Sequence, residues 1–264
     1  MKRVRLALSG AGFRIPGHVG ALKAITEAGY LIPEIVGTSA GSIIAALYAT
    51  GMTIAEMEHL ALTQDWSSML TCDPISGWLH NGWCGGDNLF NWIADQTNDA
   101  TFSDISIDLK IVAADLVTEK QVIFSRATSP RMAIAEACRC SASIPFVYAP
   151  VCISGMILVD GGVCDNMAAD LLTVDDIPRI GIYLTSDDAA LAPGKYSIAT
   201  LAGRVIDLML ASNELAHIGD ETLTGAKIVR IPTGFAPTLN TNMPTAMRQQ
   251  LIDAGHAGTK AALS

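Results

Sequence analysis

Hydrophobic positions along the chain follow two alternating rhythms. VRLAL at 4–8, EIV at 34–36, DLKIVAADL at 108–116, KQVIFS at 120–125, MILVDGG at 156–162, RIGIYL at 179–184 and KIVRIP at 227–232 are short, largely apolar runs bounded by turn residues, and each predicts a strand. Between them the spacing changes to that of helices. Val19, Leu22 and Ile25 share one face over 18–29, with Gly29 as a stop; Ile43, Ile44, Leu47 and Tyr48 share a face over 40–50. Thr53 stands where an N-cap belongs, ahead of a helix over 54–62. Helices are also expected over 131–143 and 198–218, where Leu201, Val205, Leu208 and Met209 form an apolar face better read as core than as a lipid groove. Strands alternating with helices imply an α/β domain with a mostly parallel sheet.

Composition narrows the picture. With 264 residues, half of them hydrophobic and 16% charged, the chain can bury one large core, and no linker, repeat or low-complexity tract divides it; residues 1–264 are expected to form a single domain. The net charge of −9 and the lack of a basic stripe argue against nucleic acid, and against electrostatic adhesion to anionic membranes. Residues 35–55 carry no charge, but three glycines, two serines and three threonines interrupt the run, so strand, turn and helix describe it better than a membrane span. The apolar part of MKRVRLALSG is too short for a secretory signal. Without such a signal, and with six cysteines in no zinc-type spacing, free buried thiols and a cytoplasmic setting are expected; no residue cluster suggests a metal site.

The candidate chemistry begins at Gly37-Thr38-Ser39-Ala40-Gly41. This GxSxG falls where a strand turns into a helix, a setting that exposes a serine hydroxyl and aims the helix N-terminus at it. Taken alone the motif fits a nucleophile and a helix-capping serine equally well. After the first strand, Ser9-Gly10-Ala11-Gly12-Phe13-Arg14 is a second glycine-rich turn. It fails the dinucleotide pattern, because Ile15 stands where the third glycine belongs. Its backbone amides could instead hold an oxyanion, or the turn could be merely tight.

A nucleophilic serine needs a base. None of His18, His59, His80, His217 and His256 stands in a recognisable strand-end loop. Asp160-Gly161-Gly162 ends a hydrophobic strand, which in an open α/β sheet is where sites collect, and burial could raise a carboxylate enough to serve. By itself Asp-Gly-Gly is more often a plain turn.

In this order, the glycine-rich loop (SGAGFRIPGHVGAL), GTSAG and DGG resemble the patatin-like phospholipase family, and TFSDISIDLKIVAADLVTEKQVIFS and ACRCSASIPFVYAPV resemble the blocks between its motifs. The resemblance covers roughly residues 4–185; the C-terminal third matches poorly. It implies a three-layer fold, a mostly parallel central sheet flanked by helices, and a cofactor-free Ser39–Asp160 dyad acting on phospholipids or other lipid esters at a membrane surface. Gly10, Ala11 and Gly12 would form the oxyanion hole, Gly37 and Gly41 the nucleophile elbow, and Arg14 would brace the loop or meet a phosphate. The family's Gly-Gly-Gly is here Gly10-Ala11-Gly12, so a hole that settles only on a lipid surface or an activator is expected.

Trp66, Trp78, Trp83 and Trp92 share one window, suited to a lid over an acyl pocket or, the preferred reading, to a satellite core. His18 is expected to pack at the loop–helix junction and Cys164 to be structural. The unmatched C-terminal third could bind a partner or a second copy. Competing readings are a thioesterase or acyltransferase on a soluble acyl carrier, and a catalytically silent binding module.

Overall fold

The computed structural model describes residues 2–70, 84–185 and 225–263, with isolated positions 194, 204 and 208. Its centre is an eight-stranded sheet: β2 (Arg5–Leu8), β4 (Glu34–Thr38), β5 (Asp108–Asp115), β6 (Lys120–Ser125), β7 (Val151–Ile153), β8 (Met156–Asp160), β9 (Arg179–Thr185) and β10 (Lys227–Pro232), in the order β10-β9-β2-β4-β5-β8-β7 with β6 on β5. Two-residue strands β1 (Lys2–Arg3) and β3 (Tyr30–Leu31) pair separately. From β10 to β5 every neighbour is parallel; β6, β8 and β7 are antiparallel additions. Six helices accompany the sheet among the described residues: α1 (Pro16–Glu27), α2 (Ala40–Ala49), α3 (Ile54–Thr63), α4 (Asp87–Thr97), α5 (Ile134–Ser141) and α6 (Thr245–Leu263).

The central strands read as unbroken apolar runs because both faces are covered. Leu6, Leu8, Ile35, Ile111, Ile180 and Ile182 join the large core beneath the helices, while Ala7, Val36, Val112 and Tyr183 face a smaller core closed by Met167–Leu172. Thr53 caps α3 as expected: its hydroxyl accepts from the Glu56 amide, and the Glu56 carboxylate accepts from the Thr53 amide.

Strand register places the site. β4 pairs with residues 108–112 of β5, β8 with residues 113–115, and β6 covers 110–115. Since β6 fills one edge of β5, β4 and β8 must share the other and meet end to end. Thr38 is opposite Val112 and Asp160 opposite Ala113, so Ser39 and Asp160 arrive at adjacent positions from 121 residues apart in sequence.

Some expectations change. The helix of 131–143 shortens to Ile134–Ser141; α4, β7 and α6 were not anticipated. Most of the helix of 198–218, including Leu201, Val205 and Met209, lies outside the described residues, as do Trp78, Trp83, His80 and His217; the two positions described within it, Arg204 and Leu208, are helical, and Leu208 is exposed. The expectation of free buried thiols fails at three positions: Cys84 is disulfide-bonded, Cys152 is exposed and Cys164 is half-buried. Cys138 and Cys140 are free and buried, and burial pushes both thiols up to about 12.

Candidate active site

Ser39 is the sharpest point of the β4–α2 turn. It holds φ +51° and ψ −122°, a strained conformation for any side-chain-bearing residue. Close approach on both sides enforces it. A Cβ on Gly37 would lie 2.5 Å from the Ser42 Cα, and one on Gly41 would lie 2.3 Å from the Leu8 carbonyl oxygen. The Ser39 amide donates to Ser141 Oγ at 2.8 Å, and Ser141 in turn donates to the Val112 carbonyl at 2.5 Å. Ser42 Oγ donates to the Ser39 carbonyl at 2.6 Å.

The Ser39 hydroxyl makes no capping bond to α2; it donates to Asp160 Oδ2 at 2.6 Å. The second carboxylate oxygen accepts the Gly162 amide at 2.8 Å. Both residues are buried. Burial raises the Asp160 pKa to about 6, against the opposing pull of the Ser39 hydroxyl and the Gly162 amide. Among the described histidines, none bonds to either residue. His18 is buried under the glycine loop, where its Nε2 donates to the Ser9 carbonyl at 2.8 Å; desolvation lowers its pKa to about 4, so the ring is neutral. His256 pairs with Glu27, and His59 is exposed on α3.

The glycine loop faces Ser39 across a cleft of about 260 Å³ lined by Gly10, Ala11, Gly12, Ser39, Asp160 and Thr238, among others. Its three residues are not equivalent. The Gly10 amide donates to the Asn166 carbonyl at 3.0 Å, and a Cβ there would lie 2.4 Å from Asn166 Oδ1 and 3.3 Å from the Ser39 Cβ. No acceptor among the described residues takes the amides of Ala11 and Gly12. Gly12 has φ +57°, and the Phe13 amide after it donates to the Thr238 carbonyl at 2.8 Å. Arg14 is buried, bonding the carbonyls of Ala11 and Thr185 and the Thr233 hydroxyl, so it braces the loop from behind.

An apolar cleft of about 370 Å³ adjoins the glycine-loop cleft at Ser39, walled by Phe13, Ile15, Ile43, Trp66, Leu89, Ile144 and Tyr148. Trp66, Ile15 and Ile43 also wall a second space of about 230 Å³ that reaches Met57, Leu60 and Trp92. Trp66 packs edge-on against Trp92 at 5.3 Å, and so belongs to the core and to the cleft wall at once. Three contributors escaped sequence reasoning. Ser141 and Asn166 sit one residue past a helical cysteine pair and six past Asp160, positions with no chemical signature of their own. Thr238 lies in the C-terminal third that matched poorly.

No helix among the described residues is long and apolar enough to cross a membrane. No group of metal-ligating side chains occurs among them either. Comparison with known proteins gives a consistent picture. An uncharacterized protein of Acanthamoeba polyphaga mimivirus is 30% identical over 97% of this chain and 92% of its own length. An NTE family protein of Mycobacterium tuberculosis is 31% identical over 72% of this chain, which spans about half of that relative's length (51%). Among solved structures, VipD from Legionella pneumophila superposes with a TM-score of 0.67 at 15% identity, covering 100% of this chain and 67% of VipD. ExoU in its complex with SpcU from Pseudomonas aeruginosa gives 0.57 at 18%, covering 100% of this chain and 51% of ExoU. These likenesses carry the mixed α/β fold with its central sheet flanked by helices. The family description "patatin-like phospholipase" matches residues 6–173, more than half of the chain, and the protein belongs to that family.

Proposed function

We propose that the protein is a serine acyl hydrolase that cleaves the acyl ester bonds of membrane lipids through a Ser39–Asp160 dyad. The observation that carries this reading is the 2.6 Å bond from the Ser39 hydroxyl to a buried carboxylate, at a strained turn, between a polar loop and an apolar cleft. Ser39 Oγ attacks the ester carbonyl carbon while its proton passes to Asp160. The oxyanion is held by the amides of Ala11 and Gly12 and favoured by the positive end of α2. Gly10 contributes space, since its own amide is engaged. Collapse of the tetrahedral species breaks the ester C–O bond, and Asp160 returns the proton to the leaving alcohol. Water then attacks the acyl-enzyme with Asp160 again as base, releasing a fatty acid. The apolar cleft beside Ser39 receives the acyl chain.

A fluorophosphonate probe followed by peptide mass spectrometry tests the reading. We expect a phosphonyl adduct on Ser39, formed far more slowly in Asp160→Asn. An adduct elsewhere sinks the Ser39 assignment, and no adduct with vesicles present or absent sinks the acyl-hydrolase reading and leaves a silent binding module.

Chain length should answer to Trp66, the largest of the three side chains, with Ile15 and Ile43, that line both apolar spaces. Each methylene buried is worth about 0.8 kcal/mol, so opening the second space to two more methylenes should favour a longer ester by roughly tenfold. Trp66→Leu is therefore expected to raise the ratio of kcat/KM for long over short acyl esters by about that factor. Competition between p-nitrophenyl esters of graded length measures it.

A further inference from the structure

Eight large hydrophobic side chains are exposed among the described residues, and five of them collect at one end of the molecule: Leu116, Val117, Phe146, Ile157 and Phe235. The topology shows which end. β4, β5 and β10 run the same way through the sheet, so their carboxyl ends lie together. Ser39 follows β4 directly, Leu116 and Val117 follow β5, and Phe235 comes three residues after the end of β10. Ile157 joins them, its carbonyl accepting the Leu116 amide. Phe146 projects from the turn between Ile144 and Tyr148, which both wall the cleft beside Ser39.

Phe146 is 64% exposed and holds φ +68°, the left-handed region that a bulky side chain rarely enters. The turn beneath it is firmly tied. Val147 and Tyr148 amides donate to the Ile144 carbonyl, the Ala149 amide to Cys84, and the Tyr148 hydroxyl to Met69. A strained, rigidly supported phenylalanine held out at the mouth of a cleft packs against no core cluster among the described residues. Nor do the five residues form a groove. From β10 to β5 there are four inter-strand steps, roughly 19 Å at the usual spacing, with the opening to Ser39 between them. A spread of apolar side chains around an opening fits a broad apolar surface better than a peptide or helix, which would need a continuous channel.

We propose that this rim is a lipid-docking surface: Phe146, Phe235 and the Leu116–Val117 turn insert into a bilayer and bring the cleft against it. The choice of lipid as the occupant rests on the acyl-hydrolase reading; the surface itself does not. With a net charge of −9, anionic headgroups offer the chain no general attraction, so the docking is apolar and suits a zwitterionic surface.

The test is flotation with phosphatidylcholine vesicles, done in a Ser39→Ala background so that turnover plays no part. Phe146→Asn keeps a residue that tolerates positive φ, and Leu116→Ser with Val117→Ser alters the rim without touching that turn. Each change should weaken vesicle partitioning by about tenfold, and partitioning of the parent should survive high salt. In the Ser39 form, the same changes should cost about tenfold on vesicle lipid yet leave soluble short-chain ester hydrolysis within twofold. Unchanged partitioning in both variants overturns the proposal, as does binding that requires anionic lipid and disappears with salt. If no ester is hydrolysed at all, the acyl-hydrolase reading fails, and flotation still decides whether the rim docks to lipid.

Discussion

Asp160→Asn should inactivate the protein and stabilise it at the same time. Loss of the base should lower kcat/KM by about 10²- to 10⁴-fold, the usual range for a positioned general base. The stability gain follows from the same burial. Asp160 has its pKa raised from 3.8 to about 6 in the folded state, so between those values the folded protein holds a proton that the unfolded chain has lost. Its contribution is fully present below pH 3.8 and is lost as pH rises through 6, by about 3 kcal/mol over the window. Asparagine keeps the shape, still accepts the Gly162 amide, and carries no charge to bury. Thermal unfolding of the two proteins should therefore nearly coincide at pH 4 and separate at pH 8, with the variant higher. Equal melting temperatures at pH 8 would mean that Asp160 is better solvated than its burial implies.

With Asp160 as the proposed base, the same shift should set the pH profile of hydrolysis. A base must be unprotonated, so kcat/KM should fall tenfold per unit below a limb near pH 6 and level off above it. The proposed dyad needs no third catalytic member in this geometry. In a triad the third group orients the base; here the Gly162 amide fixes one carboxylate oxygen and leaves the other aimed at Ser39. The arrangement comes from two strand ends abutting on β5, which makes it rigid without a further side chain.

That abutment was not readable in advance. GTSAG after an apolar run and DGG after another each specify a local turn, because glycine at tight positions and β-branched residues before them act over a few residues. The pairing of β4 and β8 with consecutive halves of one β5 edge is a long-range fact, and no periodicity announces it. The glycine loop shows the same boundary. Its turn was legible, but the capture of the Gly10 amide by the Asn166 carbonyl depends on a segment 156 residues away, and Thr238 closes the loop from a region where no motif is visible. Residue Cys84 likewise carries no local mark of its disulfide. The C-terminal helix was missed for a different reason: it packs through its backbone and presents only a thin apolar stripe, with Leu251 and Ile252 buried among Arg, Gln, Asp and Gly.

Gly255→Ala should therefore destabilise the protein, although helix propensity alone predicts the reverse. In an exposed helix interior, alanine is preferred to glycine by about 1 kcal/mol. At residue 255 the helices α1 and α6 touch main chain to main chain. A Cβ there would stand 1.9 Å from the Gly17 carbonyl oxygen, and one on Gly20 would stand 2.0 Å from the Ile252 carbonyl oxygen. Neither obstacle is a flexible side chain, so the helices must separate, opening the contact around Leu22, Ile25, Leu251 and Ile252. Overpacking of this kind costs about 1–3 kcal/mol and sometimes more, which outweighs the propensity gain. Gly258 on the same helix is the internal control: a Cβ there would meet no main chain, only Ile231 Cγ1 at 3.2 Å, a contact relieved by a shift of a few tenths of an ångström. Gly258→Ala should be neutral or stabilising in urea unfolding, whereas Gly255→Ala should lose about 2 kcal/mol and Gly255→Val more. Because α1 begins just beyond Arg14, the same displacement should reach the glycine loop, so Gly255→Ala should also slow Ser39 labelling in the fraction that remains folded. Equal stability of the two alanine variants would show that the helices are not in backbone contact, and would remove the tie between the C-terminal helix and the site.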